Sequence, residues 1–466
     1  AAAPPPRRPP RRAMGMLQDD ARRAGLDPAP DCAGKAPDAD AYTRQVRRIL
    51  EPADWPWPEG VMLDPAKRPR VVTTTEEFLR ELQFGCHLDE VVVFPGGVEA
   101  LGQSDVLDPD IDAALRLGQA DEAPNAYEVL RRLAPTGLLD RIKGKVTYQR
   151  QGFARREASA GGTANARMSD KWVALEAECD EASRQSVYLA EIRRLESQPC
   201  EGGLRAKRKS TLGTTMRERV HQLGVDVRKM VFWDDYSEGL FIGGHLSGYD
   251  LHVDCIPTSN VGSVLSGHKL LALWRYGEDT RAVMRDHGRE LFVPPLAEGL
   301  ADALRRACCT ALIPPGALYI FSGTNAHAVC NLGLASAAPG RAPRSCMMVS
   351  SYEALVGLHA RHIDVLADTC NAAGSDSDID DFEEEVAQNL VTCMAHAQGP
   401  GRTEDEAAGE AVAHTLASSR RIARYYDKEM AREAANSRRP RSKRRRVDGA
   451  STSSSPSNRS DAAAPP

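Results

Sequence analysis

Two short β-like segments constrain this chain more than any other feature of its sequence. Residues 248–274, GYDLHVDCIPTSNVGSVLSGHKLLALW, begin with an H-x-D pair formed by His252 and Asp254. Residues two apart in an extended strand point to the same face of a sheet, so the imidazole and the carboxylate are predicted to project side by side. Far downstream, the apolar segment PPGALYIFSGTNAHAVCNLG contains His327. Two His and one carboxylate on one face of a metal are typical of non-haem Fe(II) oxygenases, which keep coordination positions open for a co-substrate and O₂.

One lysine lies between these ligand candidates. Lys269 follows His252 by seventeen residues, in the sequence GHK within an apolar strand. A buried Lys is costly unless an anion pairs with it. A dicarboxylate co-substrate would supply that anion, so the sequence predicts an anion site in the same interior as the metal.

The ordered set of His252, Asp254, Lys269 and His327 resembles the Jumonji-C (JmjC) family of Fe(II)/2-oxoglutarate dioxygenases. The surrounding sequences GHK and PGALYIFSGTNAHAVCNL carry the resemblance, which covers roughly residues 186–352. The spacing is most similar to the small nuclear subclass of lysyl hydroxylases and arginine demethylases, in which a Lys also follows the first His by seventeen residues. The last His of that subclass opens an H-V-x-x-N-L-like run, here HAVCNL.

The resemblance implies a role for each matching residue. Fe(II) would bind to His252, Asp254 and His327, and the distal carboxylate of 2-oxoglutarate would bind to Lys269. Tyr188 lies in RQSVYLAEI, which is similar to a short family strand whose Tyr binds the same carboxylate. An ordinary amphipathic core Tyr is the alternative interpretation of Tyr188.

Other co-substrate positions depart from the family pattern. Tyr249 stands where the family favours a Thr, and its hydroxyl is a candidate replacement. The subclass has an Asn ten positions after the first His; this chain has Gly262 there, with Asn260 two residues earlier. Asn260 and Asn331 are therefore further candidates for co-substrate contacts.

Composition excludes several classes of protein. The net charge of -5 gives no global basic field for nucleic acid. The eleven Cys form no C-x-x-C pair, which disfavours a zinc or disulfide scaffold. No apolar run approaches the length of a membrane span.

The chain is predicted to have five parts. Residues 1–41 are a disordered Pro/Arg-rich tail, and residues 42–170 are an α/β preface with a mobile loop. Residues 171–355 are predicted to form a mainly β core, a double-stranded β-helix of the JmjC type. Residues 356–436 form a helical cap that would cover a barrel edge or mediate a homodimer. Residues 437–466 are a disordered basic and Ser-rich tail.

Local signals within these parts are more specific. Thr75 is the predicted N-cap of a helix in the preface, and residues 403–436 are predicted to form one helix, acidic first and basic last. Seven of the nine residues 438–446 are basic, which favours a nuclear import signal over a nucleic-acid-binding arm.

The sequence therefore predicts a nuclear dioxygenase that uses Fe(II), 2-oxoglutarate and O₂. It would hydroxylate a protein side chain, or demethylate a methylated histone Lys or Arg, with release of succinate and CO₂. An RNA- or tRNA-base hydroxylase is the alternative, for which the basic loop at Lys207–Lys209 would begin a groove. A non-catalytic binding module would lack a metal ligand, and a cupin of other chemistry needs no buried Lys269.

Overall fold

A computed structural model describes residues 39–50, 55–84, 87–101, 125–149, 156–157, 166–195, 230–231, 239–254, 259–333, 346–351, 356–357, 383–384, 387–388, 390–391 and 406–438. The predictions made for the N-terminal tail before residue 39, for Lys207–Lys209 and for the basic cluster after Arg438 lie outside these residues. Among the described helices, none has the length and apolar character that crossing a membrane requires.

The described strands form one sheet of nine strands, one of four and one of two. The strands are β1 Arg70–Val71, β2 Val92–Phe94, β3 Ile142–Tyr148, β4 Arg156–Glu157, β5 Tyr188–Arg194, β6 Met230–Val231, β7 Gly239–Gly243, β8 Gly248–His252, β9 Ser259–Ser266, β10 His268–Leu273, β11 Cys309–Ile313, β12 Leu318–Ser322, β13 His327–Leu332, β14 Cys346–Ser351 and β15 Val356–Gly357. The nine-stranded sheet has the order β1-β2-β12-β9-β14-β7-β5-β3-β4, the four-stranded sheet has the order β11-β10-β13-β8, and β15 pairs with β6.

Helices precede, interrupt and follow these strands. They are α1 Ala39–Leu50, α2 Glu59–Met62, α3 Thr75–Phe84, α4 Gly97–Ala100, α5 Ala126–Leu133, α6 Met168–Glu178, α7 Glu181–Arg184, α8 Glu278–His287, α9 Leu300–Arg306, α10 Glu406–Ser418 and α11 Arg420–Arg438. Short 3₁₀ turns span Pro65–Lys67, Ala134–Thr136 and Leu138–Arg141.

Side-chain alternation along the central strands divides their apolar residues between two cores. Leu271 and Leu273 of β10 face one side, while Leu270 and Ala272 face the other. The outer core contains Trp57, Trp274, Phe292, Leu300 and Leu304 and lies against the preface and helices α8 and α9. The inner core contains Tyr188, Phe241, Val264, Tyr319 and Phe321 from the nine-stranded sheet and Leu271, Leu273, Ala311, Ile313 and Val329 from the four-stranded sheet. The two large sheets therefore share the inner core, and both faces of the four-stranded sheet are buried.

The architecture is a mixed arrangement of β-sheets and helices. Strands β7 to β13 and helices α8 and α9 lie between the preface helices and the C-terminal helices α10 and α11. Over the described residues the sheets are not joined by strand pairing into a closed barrel. The double-stranded β-helix therefore stays a prediction.

Two local predictions were wrong in detail. The N-cap of α3 is Thr74, not Thr75: the Thr74 hydroxyl accepts a hydrogen bond from the Glu77 amide, and the Glu77 carboxylate accepts from the Thr74 amide. This reciprocal pair is a capping box. The predicted single C-terminal helix is two, because Ser419 interrupts it and its hydroxyl caps the amide of Ile422.

Candidate metal centre

A β-bulge in β8 turns His252 toward the inner core. His327 of β13 lies opposite His252, whereas Val329 lies opposite Tyr249, so three residue steps on β8 match two on β13. The extra residue reverses the normal alternation and brings Tyr249 and His252 to the same face. Their ring centroids are 4.7 Å apart. The H-x-D pattern alone did not predict this bulge.

Asp254 lies just beyond the end of β8 and is fixed by its own contacts. Its amide donates a hydrogen bond of 2.9 Å to the carbonyl of Gly323, in the turn between β12 and β13. The Asn260 side-chain amide donates to Oδ2 of Asp254. A Cβ atom at Gly323 would stand 3.1 Å from that Oδ2, so glycine permits the close approach of the turn. Asn260, which the sequence predicts as a co-substrate contact, therefore contacts a metal-ligand candidate.

The structure brings the three predicted metal ligands together. One ligand atom from each of His252, Asp254 and His327 lies within 4.8 Å of the other two. The His252 Nε2 atom is 3.3 Å from Oδ1 of Asp254, and the His327 Nε2 atom is 3.7 Å from Oδ2. Both Nε2 atoms therefore converge on one carboxylate, as ligands of a single ion must.

Backbone carbonyls set the tautomer of both histidines. The His252 Nδ1 atom is 2.7 Å from the carbonyl oxygen of Asp250, and the His327 Nδ1 atom is 3.0 Å from that of Asn325. Because a carbonyl oxygen only accepts hydrogen bonds, Nδ1 must be the protonated nitrogen that donates. The Nε2 lone pairs are left for a metal, as in metal sites whose His ligands are oriented by a second hydrogen bond.

Electrostatic interactions favour the metal-binding protonation states of His327 and Asp254. Burial lowers the pKa of His327 to about 4, and the adjacent His252 adds to the effect. Burial would raise the pKa of Asp254, but the nearby His327 and His252 rings hold this pKa well below its usual range. Burial would lower the pKa of His252, but the hydrogen bond with Asp254 raises it above the ordinary value. A proton at His252 is therefore the one that competes with a metal.

Lys269 lies in the inner core on the same face of β10 as Leu271 and Leu273, and it is 5% exposed. Its Nζ atom donates a hydrogen bond of 2.9 Å to the Tyr319 hydroxyl. No carboxylate lies within 4.0 Å of Nζ among the described residues. Leu273 of β10 lies opposite His327. Lys269 is four residues from Leu273, so it lies about 13 Å along β10 from the position opposite His327.

The predicted tyrosines both line the same interior. Tyr188 is 3% exposed on β5, and its ring lies 5.9 Å from that of Tyr249, which in turn packs on His252. Both rings therefore lie at the His252 end of the inner core. The hydroxyl group beside Lys269 belongs to Tyr319, a residue that the sequence interpretation did not select.

Asn331 stabilises the turn that precedes β8. It is fully buried on β13 opposite Lys269, and its backbone amide donates to the Ser247 carbonyl while its carbonyl accepts from Leu246. Its side-chain Nδ2 lies 3.3 Å from the Ser247 hydroxyl. These bonds fix the turn that precedes β8. The Asn331 Oδ1 atom, by contrast, is buried and without a hydrogen-bond partner in the described part of the chain.

His87, a residue of the preface, helps to support the site. His87 is fully buried, with Nδ1 2.7 Å from the Ser259 hydroxyl and Nε2 3.6 Å from Glu81. Burial would raise the pKa of Glu81, but the adjacent His87 imidazole and the hydrogen bonds from Arg70 lower it to about 2. This network holds the start of β9, next to the Asn260 amide. Because the contact spans 172 residues of sequence, no local pattern predicted it.

The geometry of the three ligand candidates and Lys269 defines a class of site. Two imidazoles and one carboxylate converge, with a buried cation in the same interior, an arrangement suited to binding a divalent ion and an anion together. Comparison of the chain with protein-family models and with curated proteins finds no match. The interpretation of the site therefore depends on its own residues.

Proposed function

We propose that the chain is an Fe(II)- and 2-oxoglutarate-dependent dioxygenase of the JmjC type. The observation that supports it best is the position of Lys269, a buried cation with no carboxylate near it in the described structure, about 13 Å along the strand from the level of the His252–Asp254–His327 cluster. In this proposal, a small dicarboxylate lies between Lys269 and the cluster, chelates the metal at one end and meets Lys269 at the other.

The donor set fits Fe(II). Two neutral imidazole nitrogens and one carboxylate on one side of an ion are the ligands of non-haem iron oxygenases, and the carbonyl-fixed tautomers aim both Nε2 atoms at the carboxylate. When bound, Fe(II) with 2-oxoglutarate and O₂ would supply oxidising chemistry that yields succinate, CO₂ and a hydroxylated substrate carbon. Hydroxylation of an N-methyl carbon releases the methyl group as formaldehyde.

The residues of the chain would orient the reactants and exclude water. Asp254 is held by the Gly323 carbonyl and the Asn260 amide, so its carboxylate does not need to reorganise on binding the ion. The His327 side chain is 4% exposed, whereas that of His252 is 28% exposed. A substrate would therefore approach from the His252 side, with the inner core closing the opposite side.

The finer features belong to the same proposal. We infer that the two large sheets are the core of a double-stranded β-helix and that the substrate is a protein side chain, a Lys or Arg or its methylated form in a histone. A nuclear location, import through residues 438–446 and a homodimer formed through the C-terminal helices complete the proposal. The clustered basic residues and the helical pair α10 and α11 support these last points.

Isotope labelling tests the proposed activity. The purified, Fe(II)-loaded full chain would be incubated with 2-oxoglutarate and ¹⁸O₂, in separate reactions with histones, nuclear proteins and RNA. We expect ¹⁸O-labelled succinate in a protein-containing reaction, and none from Asp254→Ala. Labelled succinate only in the RNA reaction would favour the base-hydroxylase alternative. No labelled succinate in any reaction, from folded and metal-loaded protein, would contradict the proposed activity.

A further inference from the structure

Asn325 is fully buried in the turn between β12 and β13. Its side-chain nitrogen, Nδ2, lies 2.6 Å from the carbonyl oxygen of Leu88 in the preface and 2.6 Å from that of Trp274, directly after β10. Because carbonyl oxygens only accept hydrogen bonds, the nitrogen of the amide must face both of them. The side chain of Asn325 therefore connects this turn to the preface and to the four-stranded sheet.

This orientation leaves the oxygen of the same amide unmet. Oδ1 of Asn325 is buried and has no hydrogen-bond partner in the part of the chain that the structure describes. A buried acceptor without a partner is unfavourable. The opposite orientation would be worse, because Oδ1 would then face two carbonyl oxygens. The two hydrogen bonds donated by Nδ2 therefore outweigh the unmet oxygen at this position.

The backbone of Asn325 faces the metal-ligand cluster. Its carbonyl oxygen lies 3.0 Å from Nδ1 of His327 and accepts the hydrogen bond that leaves Nε2 for a metal. A shift of the turn would move this acceptor and change the orientation of the imidazole. Asn325 thus connects the preface, through its side chain, to a metal-ligand candidate, through its backbone.

The neighbouring preface residue, His87, supports the other side of the cluster. Its carbonyl oxygen accepts a hydrogen bond of 3.2 Å from the amide of Ser322, and its Nδ1 atom lies 2.7 Å from the hydroxyl of Ser259. Ser259 and Ser322 are cross-strand partners at this end of β9 and β12. The residue that follows each of them in sequence bonds to Asp254. Both supports of Asp254 are therefore next to a residue that His87 holds.

We propose that Asn325 is a positioning residue of the metal centre, and that Asn325 and Ser259 connect this centre to one anchor, the preface segment His87–Leu88. Both side chains would act without touching the ion, by fixing the groups that orient its ligands. Loss of such supports typically lowers metal affinity about 10–100-fold. This inference rests on the proposed function, and it makes a preface segment 237 residues from Asn325 part of the metal centre.

Metal titrations of three variants of the full chain test this role. Metal-free protein would be titrated calorimetrically with Co(II), and the visible spectrum would be recorded at saturation. Asn325→Ala removes both side-chain hydrogen bonds, and Ser259→Ala removes the hydroxyl that contacts His87. Thr310→Val is the matched control, because Thr310 is 1% exposed in β11 and its hydroxyl donates to the carbonyl of another preface residue, Val61. The control therefore also removes a buried link to the preface, but not one that supports the cluster.

We expect Asn325→Ala to raise the Kd for Co(II) about tenfold or more and to change the visible spectrum of the saturated protein. Ser259→Ala should show a smaller loss of affinity. Thr310→Val should lose stability in thermal unfolding, while its Kd and its spectrum match those of the wild type.

Wild-type Kd and spectrum in either folded variant, Asn325→Ala or Ser259→Ala, would overturn the inference. An equal loss of affinity in Thr310→Val would also overturn it, because the contacts would then act through overall stability. If Asn325→Ala does not fold, Ser259→Ala decides alone. Absence of Co(II) binding by the folded wild type would instead overturn the metal centre and with it the proposed function.

Discussion

Replacing Lys269 by Met separates a ligand-binding lysine from a structural one. Lys269 is 5% exposed among apolar residues of the inner core, and its protein hydrogen bond is to a neutral hydroxyl. Burial of an ion costs several kcal/mol, and a hydrogen bond from a charged donor returns about 1.5–3 kcal/mol. Met matches the unbranched stem and carries no charge. We therefore expect the ligand-free Lys269→Met protein to gain about 1 kcal/mol, or roughly 2–4 °C in Tm.

The same substitution should weaken 2-oxoglutarate binding at least tenfold, because the dicarboxylate loses its ionic partner. Differential scanning calorimetry of the metal-free protein and an anaerobic 2-oxoglutarate titration measure the two effects. The control is Lys171→Met in α6, where the lysine is 3% exposed and has interactions within the protein. That variant should lose stability and keep its 2-oxoglutarate affinity. A loss of about 3–5 kcal/mol in Lys269→Met, with unchanged affinity, would refute the reasoning and make Lys269 structural.

Three further predictions concern the support of the site. Gly262→Ala should cost about 1–3 kcal/mol of stability, because the new Cβ meets the buried ring of Tyr319. Gly60→Ala should not lose this stability, because no atom lies within 4 Å of its new Cβ. Thermal unfolding compares the two variants, and equal Tm values would contradict the clash. The pKa of Glu81 falls from 4.5 to about 2, so its ionised form contributes stability that is complete above about pH 4.5 and lost as the pH falls toward 2. Glu81→Gln should therefore lose about 2–3 kcal/mol of unfolding free energy at pH 7. Urea unfolding at several pH values should show that the stability of this variant falls less steeply between pH 7 and pH 2 than that of the wild type. An unchanged pH profile would contradict the role of the Glu81 carboxylate. Asn260→Ala should weaken Co(II) binding about tenfold in calorimetric titration, because the Asp254 carboxylate loses its orienting amide; unchanged affinity would assign Asn260 no part in the metal site.

The sequence predicted the ligand cluster because spacing within a strand is local information. The alternation that places Lys269 on the same face as Leu271 and Leu273 follows from a period of two, whereas Asp254 lies beyond the end of β8 and is held by the Gly323 turn. The bulge that turns His252 was not predictable, because it depends on the register between β8 and β13. The N-cap of α3 was assigned to Thr75 instead of Thr74, and the cap at Ser419 was missed. In both places, several neighbouring Thr and Ser residues are equally suitable as caps by composition.

Tyr319 was missed because LYIFS is typical of an apolar core strand. The available signal was its hydroxyl, which must find a partner when a Tyr is fully buried in such a strand. The identity of that partner depends on β10 and β12 meeting in the inner core, fifty residues apart in sequence. His87 was missed for the same reason, since its contact with Ser259 joins the preface to β9.

The central claim is that His252, Asp254 and His327 hold Fe(II) in the same space as an anion site at Lys269. Anaerobic titration of the purified full chain with Fe(II) and 2-oxoglutarate tests it most directly, with the visible charge-transfer band as readout. We expect the band in the wild type, its loss in His252→Ala and a weaker band at equal ligand concentration in Lys269→Ala. No band in folded, metal-loaded wild-type protein, or an undiminished band in His252→Ala, would contradict the claim.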